Sequence, residues 1–165
     1  MSNKIARFGV MVALALIFSY IESLIPINFG IPGIKLGLAN LVIVVALYMM
    51  DTPSAYILSV TRVLTAGFMF GNMMIIVYSL VGGLLSLSIM AILKKINKNS
   101  LIAISIAGGV FHNIGQLIVA AITLETLQIS YYAPILIISG LITGLVIGVV
   151  AEAIIKRIRK VWDYQ

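Results

Sequence analysis

The chain has 165 residues, of which 62% are hydrophobic and 10% charged, and it contains no cysteine. A soluble domain is about half apolar and about a quarter charged, so this composition excludes a soluble globular fold. It also excludes a disordered chain, because too much apolar surface would be left in water. The lack of cysteine excludes disulfides, iron–sulfur clusters and thiolate zinc sites. The composition therefore predicts an integral membrane protein.

Six apolar segments follow one another along the chain, separated by short polar or Pro/Gly-containing breaks. A membrane-spanning helix needs about 20 residues, so six of them fit this length as one domain. The longest break, residues 26–35, is rich in Pro and Gly, and Asp51-Thr52-Pro53 is typical of a helix start. The pattern predicts one all-α membrane domain over residues 1–165, a six-helix transmembrane bundle with spans near 5–25, 36–50, 54–70, 73–93, 101–124 and 134–155.

The positions of the basic residues predict the orientation of this bundle. With six spans, both termini, the 51–53 turn and the 94–100 loop lie on one side of the membrane. Of the eleven Lys and Arg residues, Lys35 lies on the other side, Arg62 lies inside the third span, and the remaining nine lie on the side of the termini. The positive-inside rule then predicts that both termini are cytoplasmic. The basic balance is explained by topology, so we expect no nucleic-acid partner.

Charged side chains inside the spans are the first candidates for a binding site. A charge at mid-helix costs roughly 2.5–3.5 kcal/mol on insertion scales, so Arg62 in the third span needs a compensating partner. Glu22 and Lys35 lie near the outer ends of the first two spans, and a structural ion pair of Glu22 with Arg62 or Lys35 is one interpretation. Because one carboxylate does not satisfy the five donors of a guanidinium, we favour a ligand or partner role for Arg62.

Uncharged polar side chains extend the candidate site. His112 and Gln116 lie four residues apart and share one helix face, with Asn113 about 100° round. They either bond neighbouring helices or line a polar pocket that opens outward. One His among scattered amides does not make a metal site, so we expect no metal and no cofactor. The complete set of predicted substrate-binding residues is Glu22, Asn28, Lys35, Asn40, Arg62, Asn72, Tyr78, His112, Asn113 and Gln116.

Small residues recur at a spacing of four in two spans. Gly140, Gly144 and Gly148 form a stripe in the sixth span, which favours close helix packing within the chain. Gly9 and Ala13 form a shorter stripe in the first span, which either packs within the chain or docks another membrane subunit. The sequence has no phosphate-binding loop and no acidic cluster to hold magnesium on a diphosphate, and we expect no catalytic residues.

Four segments resemble one known family. IPGIKLGLAN (31–40), TRVLTAGFMFGN (61–72), YSLVGGLLSL (78–87) and FHNIGQL (111–117) resemble the Gx transporter family, also labelled heptaprenyl diphosphate synthase component I. The resemblance covers roughly residues 8–158. That family is similar to the substrate-binding S-components of energy-coupling factor (ECF) transporters.

The resemblance implies an S-component-like fold and a place in a larger machine. Such proteins bind a micronutrient in an outward pocket and dock on a transmembrane T-component driven by two cytosolic ATPases. They dock through an Ala-x-x-x-Ala motif on the first helix; here the nearest match is Gly9-x-x-x-Ala13, with Ala15 nearby. The predicted location is the cell (plasma) membrane of a prokaryote.

The leading hypothesis is therefore a non-enzymatic substrate-binding membrane subunit of an ECF-type importer. Lys35, Arg62 and His112 favour an anionic or carbonyl-rich small molecule. Two alternatives stay open: a non-catalytic membrane accessory subunit in polyprenyl diphosphate or quinone metabolism, and a scaffold in a membrane electron-transfer system.

Overall fold

A computed structural model of the protein describes residues 2–24, 37–96 and 100–162. Within those residues the chain is all-helical and has no strand, which confirms the all-α part of the predicted fold class. A 3-10 helix, Leu127–Tyr132, precedes the last α-helix. The six α-helices are α1 (Ser2–Leu24), α2 (Leu38–Met49), α3 (Thr52–Phe70), α4 (Met73–Ile96), α5 (Leu101–Thr123) and α6 (Ala133–Trp162).

The helices differ in length from the predicted spans, and not all are equally apolar. Only α1, α4, α5 and α6 are long and apolar enough by themselves to cross a membrane. Helix α2 has 12 residues, about 18 Å at 1.5 Å per residue, which is less than the roughly 30 Å of a bilayer core. Helix α3 carries Arg62 and several hydroxyl side chains, which lower its hydropathy. Helix α6 continues well past the predicted end at 155.

Helix α2 is the interior helix of the bundle. It packs against α1, α3 and α6, while α4 packs between α3 and α5, and α5 packs between α4 and α6. Residues 41–47 of α2 are all buried. A helix that is apolar all round is stable only when other helices cover it on every side. The main hydrophobic core therefore forms around α2, with side chains from all five other helices.

Successive helices run in opposite directions, so the protein has two distinct ends. We call the end formed by Ser2, Met49, Thr52, Ile96 and Trp162 the basic end, and the other the cavity end. At the basic end, Lys94 donates a hydrogen bond of 2.5 Å to the carbonyl of Leu47 near the end of α2. All Lys and Arg residues of the described chain except Arg62 lie toward this end: Lys4, Arg7, Lys94, Lys95, Lys156, Arg157, Arg159 and Lys160.

Asp51 joins three parts of the basic end. Its carboxylate accepts a hydrogen bond from the Ser54 backbone N–H at 2.8 Å, which caps α3, and it pairs with the Lys4 ammonium at 2.6 Å. The helix start predicted at Asp51-Thr52-Pro53 is therefore confirmed. Hydrogen bonds from Lys4 and then from Ser54 hold the pKa of the Asp51 carboxyl well below its usual range.

The lowered pKa of Asp51 predicts how stability depends on pH. A carboxyl whose pKa is lower in the folded state stabilises the fold above its unfolded pKa of about 3.9, and this contribution is lost as pH falls through the lowered value. Because Asn also caps helices well, Asp51→Asn removes the charge and keeps the cap. Thermal unfolding should show wild type slightly more stable than Asp51→Asn near neutral pH, with the difference vanishing in acid. A difference that stays constant with pH would contradict this role of Lys4.

Glycines allow the backbones of α4, α5 and α6 to approach one another closely. A Cβ added at Gly115 would lie 2.8 Å from the Cα of Gly82, across the α4–α5 contact. One added at Gly144 would lie 2.7 Å from the Ser105 carbonyl oxygen and from the Ile106 Cα, across the α5–α6 contact. The prediction that the Gly140–Gly144–Gly148 stripe packs within one chain is confirmed, because all three face the α5 backbone.

Candidate functional site

A cavity of about 240 Å³ lies between α1, α3 and α4 at the cavity end. Its volume is near the lower end of small-molecule sites, which are roughly 300–1,000 Å³. The hydrophobic core occupies the half of the bundle nearer the basic end, so the cavity occupies the half that the core leaves less filled. The lining residues are Ser19, Glu22, Ser23, Arg62, Val63, Ala66, Gly67, Phe70, Gly71, Ile75 and Ser79.

Arg62 is the central polar residue of this cavity. It lies on α3, is only 9% exposed, and donates a hydrogen bond of 3.1 Å from Nη2 to Oδ1 of Asn40 on α2. Its Nε is buried and has no hydrogen-bond partner within the described chain. A buried donor left without a partner costs about 1–3 kcal/mol, and more for a charged group. The guanidinium is thus held in place by Asn40 and keeps donor capacity unused.

Glu22 lies on the α1 wall and is fixed by the start of α2. Its Oε1 accepts a hydrogen bond of 2.5 Å from the backbone N–H of Gly37. Gly37 has a φ of 73°, in the left-handed region that favours glycine, and this conformation lets the chain turn into α2. Among the described residues Glu22 has no ion pair within 4 Å, and Lys35, the other predicted partner, lies outside those residues. Glu22 and Arg62 face the same cavity as separate charges.

Apart from Ser79 on α4, the side chains that α3 and α4 add to the cavity wall beside Arg62 are apolar. Gly67 on α3 leaves room for the side chain of Ile76, and an added Cβ there would collide with it. The rings of Tyr20 and Phe70 lie 5.0 Å apart between centroids and join α1 to the end of α3. The cavity therefore combines apolar side chains with several polar groups, and it is more polar than a typical small-molecule site.

The structure places the predicted α5 residues elsewhere. The Asn113 amide donates a hydrogen bond of 2.7 Å to the carbonyl of Leu136 on α6, so it joins two helices. His112 and Gln116 share a face as predicted, and both lie against Gly82 on α4. None of the described residues that line the cavity comes from α5. Of the predicted binding residues, only Glu22 and Arg62 are among the described residues that line the cavity, and Asn40 is hydrogen-bonded to Arg62.

Two other predicted binding residues, Asn72 and Tyr78, are not among the described residues that line the cavity. Asn72 is exposed and accepts a hydrogen bond of 2.9 Å from the Ile75 N–H, so it caps α4 next to the cavity rim. Tyr78 is half-buried on α4 and is not among the lining residues. Asn28 and Lys35 lie outside the described residues.

Two polar lining residues on α1 escaped the sequence analysis. Ser19 and Ser23 lie on the α1 wall with Glu22. Ser19, Glu22 and Ser23 are residues i, i+3 and i+4, so all three lie on one face of an otherwise apolar helix. A search for short polar faces, rather than for single charged residues, would have found them.

The small residues of α1 lie on two sides of the helix. Gly9 and Ala13 are exposed, and a Cβ added at Gly9 would meet no atom within 4 Å. Ala15 is fully buried in the core. The structure therefore differs from the expectation for Ala15, which lies about 200° round the helix from Ala13 and packs within the chain. Of the three predicted docking residues, Gly9 and Ala13 lie on an exposed face of α1.

Comparison with known proteins identifies the family. No group of three or more His, Cys, Asp or Glu side chains that could hold a metal ion occurs in the described part of the chain. A search of curated proteins and a search of solved structures gave no match. The family model for heptaprenyl diphosphate synthase component I matches residues 11–154, which confirms the family resemblance of the sequence motifs. With its long apolar helices, the chain is a membrane protein that belongs to the heptaprenyl diphosphate synthase component I family.

Proposed function

We propose that the chain is the substrate-binding membrane subunit of an ECF-type importer, and that it binds a small micronutrient-like molecule in the cavity around Arg62. The observation that carries this proposal is Arg62, which is buried and lines the cavity, and whose Nε has no hydrogen-bond partner among the described residues. Burying a charge without full hydrogen bonding costs free energy. A ligand that accepts a hydrogen bond from Arg62 would offset part of that cost.

The proposal includes a topology. The chain crosses the membrane six times, with α2, which is shorter than the bilayer core, held inside the bundle by its neighbours, and both termini are cytoplasmic. The concentration of Lys and Arg at the basic end supports this orientation. The cavity then opens toward the outside, where a nutrient is first met, in the plasma membrane of a prokaryote. The chain itself is not an enzyme.

Transport needs an energy source from other subunits. The sequence carries no phosphate-binding loop, so ATP hydrolysis is assigned to two cytosolic ATPases that act through a T-component. The exposed Gly9–Ala13 face of α1 is the proposed contact with the T-component. Its support is geometric, because small side chains on an open helix face allow another helix to approach closely.

Two alanine-to-leucine substitutions on α1 test this docking face. Ala13→Leu adds bulk to an exposed position, so we expect normal folding and normal ligand binding but loss of assembly with the T-component, seen as failed co-purification. Ala15→Leu adds the same bulk to a fully buried position and is expected to lower thermal stability. Normal assembly of Ala13→Leu would remove the docking face from the proposal.

Reconstitution tests the function itself. Proteoliposomes that contain the chain alone should retain a molecule from a cell extract without ATP, as detected by mass spectrometry. Uptake into the lumen should require the T-component, both ATPases and ATP. Accumulation by the chain alone would contradict the dependence on a separate motor. A soluble prenyl synthase that co-purifies in place of the ATPases would favour an accessory role in prenyl metabolism.

A further inference from the structure

We infer that the molecule bound in this cavity has no net charge, with a hydrogen-bond acceptor at one end for Arg62 and a donor such as an ammonium or N–H group at the other end for the α1 wall. Amino-acid-like zwitterions and small polar amides or heterocycles have this chemistry, and diphosphates do not. The inference rests on the proposed function, since it concerns the same cavity.

Among the described residues, the charges of the cavity lining cancel. Arg62 contributes one positive charge and Glu22 one negative charge, and the other described lining residues are neutral. No ion pair joins them within 4 Å, although both line the same cavity. The space between them therefore has a positive side on α3 and a negative side on α1. A dipolar or zwitterionic molecule fits such a site without leaving any charge uncompensated.

The hydrogen bonds of the α1 wall strengthen this polarity. The Ser19 hydroxyl donates its hydrogen to the carbonyl of Ala15 at 2.8 Å, and the Ser23 hydroxyl donates to the carbonyl of Tyr20 at 2.7 Å. Both hydroxyls have used their single hydrogen, so each offers only acceptor lone pairs to the cavity. Glu22 as a carboxylate is also an acceptor. The α1 wall thus needs donors from a guest, whereas Arg62 has only donors to give.

A diphosphate is a poor match for this arrangement. It carries more than one negative charge, and Arg62 neutralises one, while the carboxylate of Glu22 and the acceptor oxygens of Ser19 and Ser23 repel the rest. The cavity of about 240 Å³ is also small for a prenyl chain in addition to its head group. The family label names a prenyl diphosphate enzyme, but the polarity of this site favours a smaller and less charged molecule.

The test compares what the wild type and two near-isosteric variants retain from native membranes. Small molecules released from the full-length wild type, Arg62→Gln and Glu22→Gln are identified by mass spectrometry, and their charge at neutral pH is measured by anion exchange. Gln at position 22 still accepts from the Gly37 N–H, so the start of α2 is preserved. Inorganic pyrophosphate serves as the anionic probe in a thermal-shift assay.

We expect wild type to retain one molecule of zero net charge, and the retained amount to fall at least about tenfold in both variants. We expect pyrophosphate not to raise the thermal unfolding midpoint. For an anionic guest, Glu22→Gln would increase retention, because it removes a repulsive charge. Retention of a multiply charged anion, increased retention in Glu22→Gln, or Arg62-dependent stabilisation by pyrophosphate would overturn the inference and leave the binding function standing. If no retained molecule depends on Arg62, the proposed function fails and the inference fails with it.

Discussion

Arg62→Gln is expected to lower the affinity for the bound molecule by about 100-fold or more. A buried, charged hot-spot residue is worth roughly 2–4 kcal/mol, and every 1.4 kcal/mol is tenfold in affinity. The fold should tolerate the change, because Gln removes a buried charge whose desolvation the protein otherwise bears. Retention of the native molecule and thermal unfolding, measured on the same preparation, separate binding from folding.

Two further variants sharpen this prediction. Arg62→Lys keeps the charge but loses the planar fork of donors, so it should bind more weakly than wild type and better than Arg62→Gln. Lys95→Gln removes one positive charge from an exposed position at the basic end and should bind normally. Wild-type affinity in Arg62→Gln, or a variant that only unfolds, would show that Arg62 has a structural role.

Gly144→Ala is expected to destabilise the protein by about 2 kcal/mol or more, although alanine is the better helix former. The new Cβ would lie 2.7 Å from both the Ser105 oxygen and the Ile106 Cα on α5. These are backbone atoms, so relief requires that α5 and α6 move apart. The change is measured as a drop in the thermal unfolding midpoint in detergent.

Gly9→Ala is the matched control for this substitution. Both positions lie inside an α-helix, so the gain in helix propensity, about 1 kcal/mol, is shared and cancels in the comparison. At Gly9 the added methyl group meets no atom within 4 Å. We expect Gly9→Ala to be neutral or slightly stabilising. Equal effects at the two positions would contradict the close approach of α5 and α6.

The sequence predicts the helical bundle well because its signals are local. Apolar length determines the long helices, Asp51 and Pro53 mark the start of α3, and the glycine spacing in α6 indicates a packing stripe. The interior position of α2 is not a local property. Residues 41–47 are buried because neighbouring helices surround them, and their composition would suit a lipid-facing helix equally well.

The candidate site was only partly predictable for a similar reason. Arg62 can be identified from the sequence because a charged side chain inside a membrane span costs free energy. Its neighbours depend on how the helices pack. Glu22 finds a backbone N–H at Gly37, a partner that no search for opposite charges reveals. Asn113 satisfies its amide on a backbone carbonyl of α6, so a polar residue in a span indicates a needed partner but does not say which kind.

An experimental structure of the protein purified from its native membrane, without added ligand, tests the central claim most directly. The account predicts density for a small non-lipid molecule between α1, α3 and α4, in contact with the Arg62 guanidinium and within hydrogen-bond distance of the α1 wall. A cavity that holds only lipid chains or solvent, with Arg62 satisfied by groups of the protein itself, would contradict it.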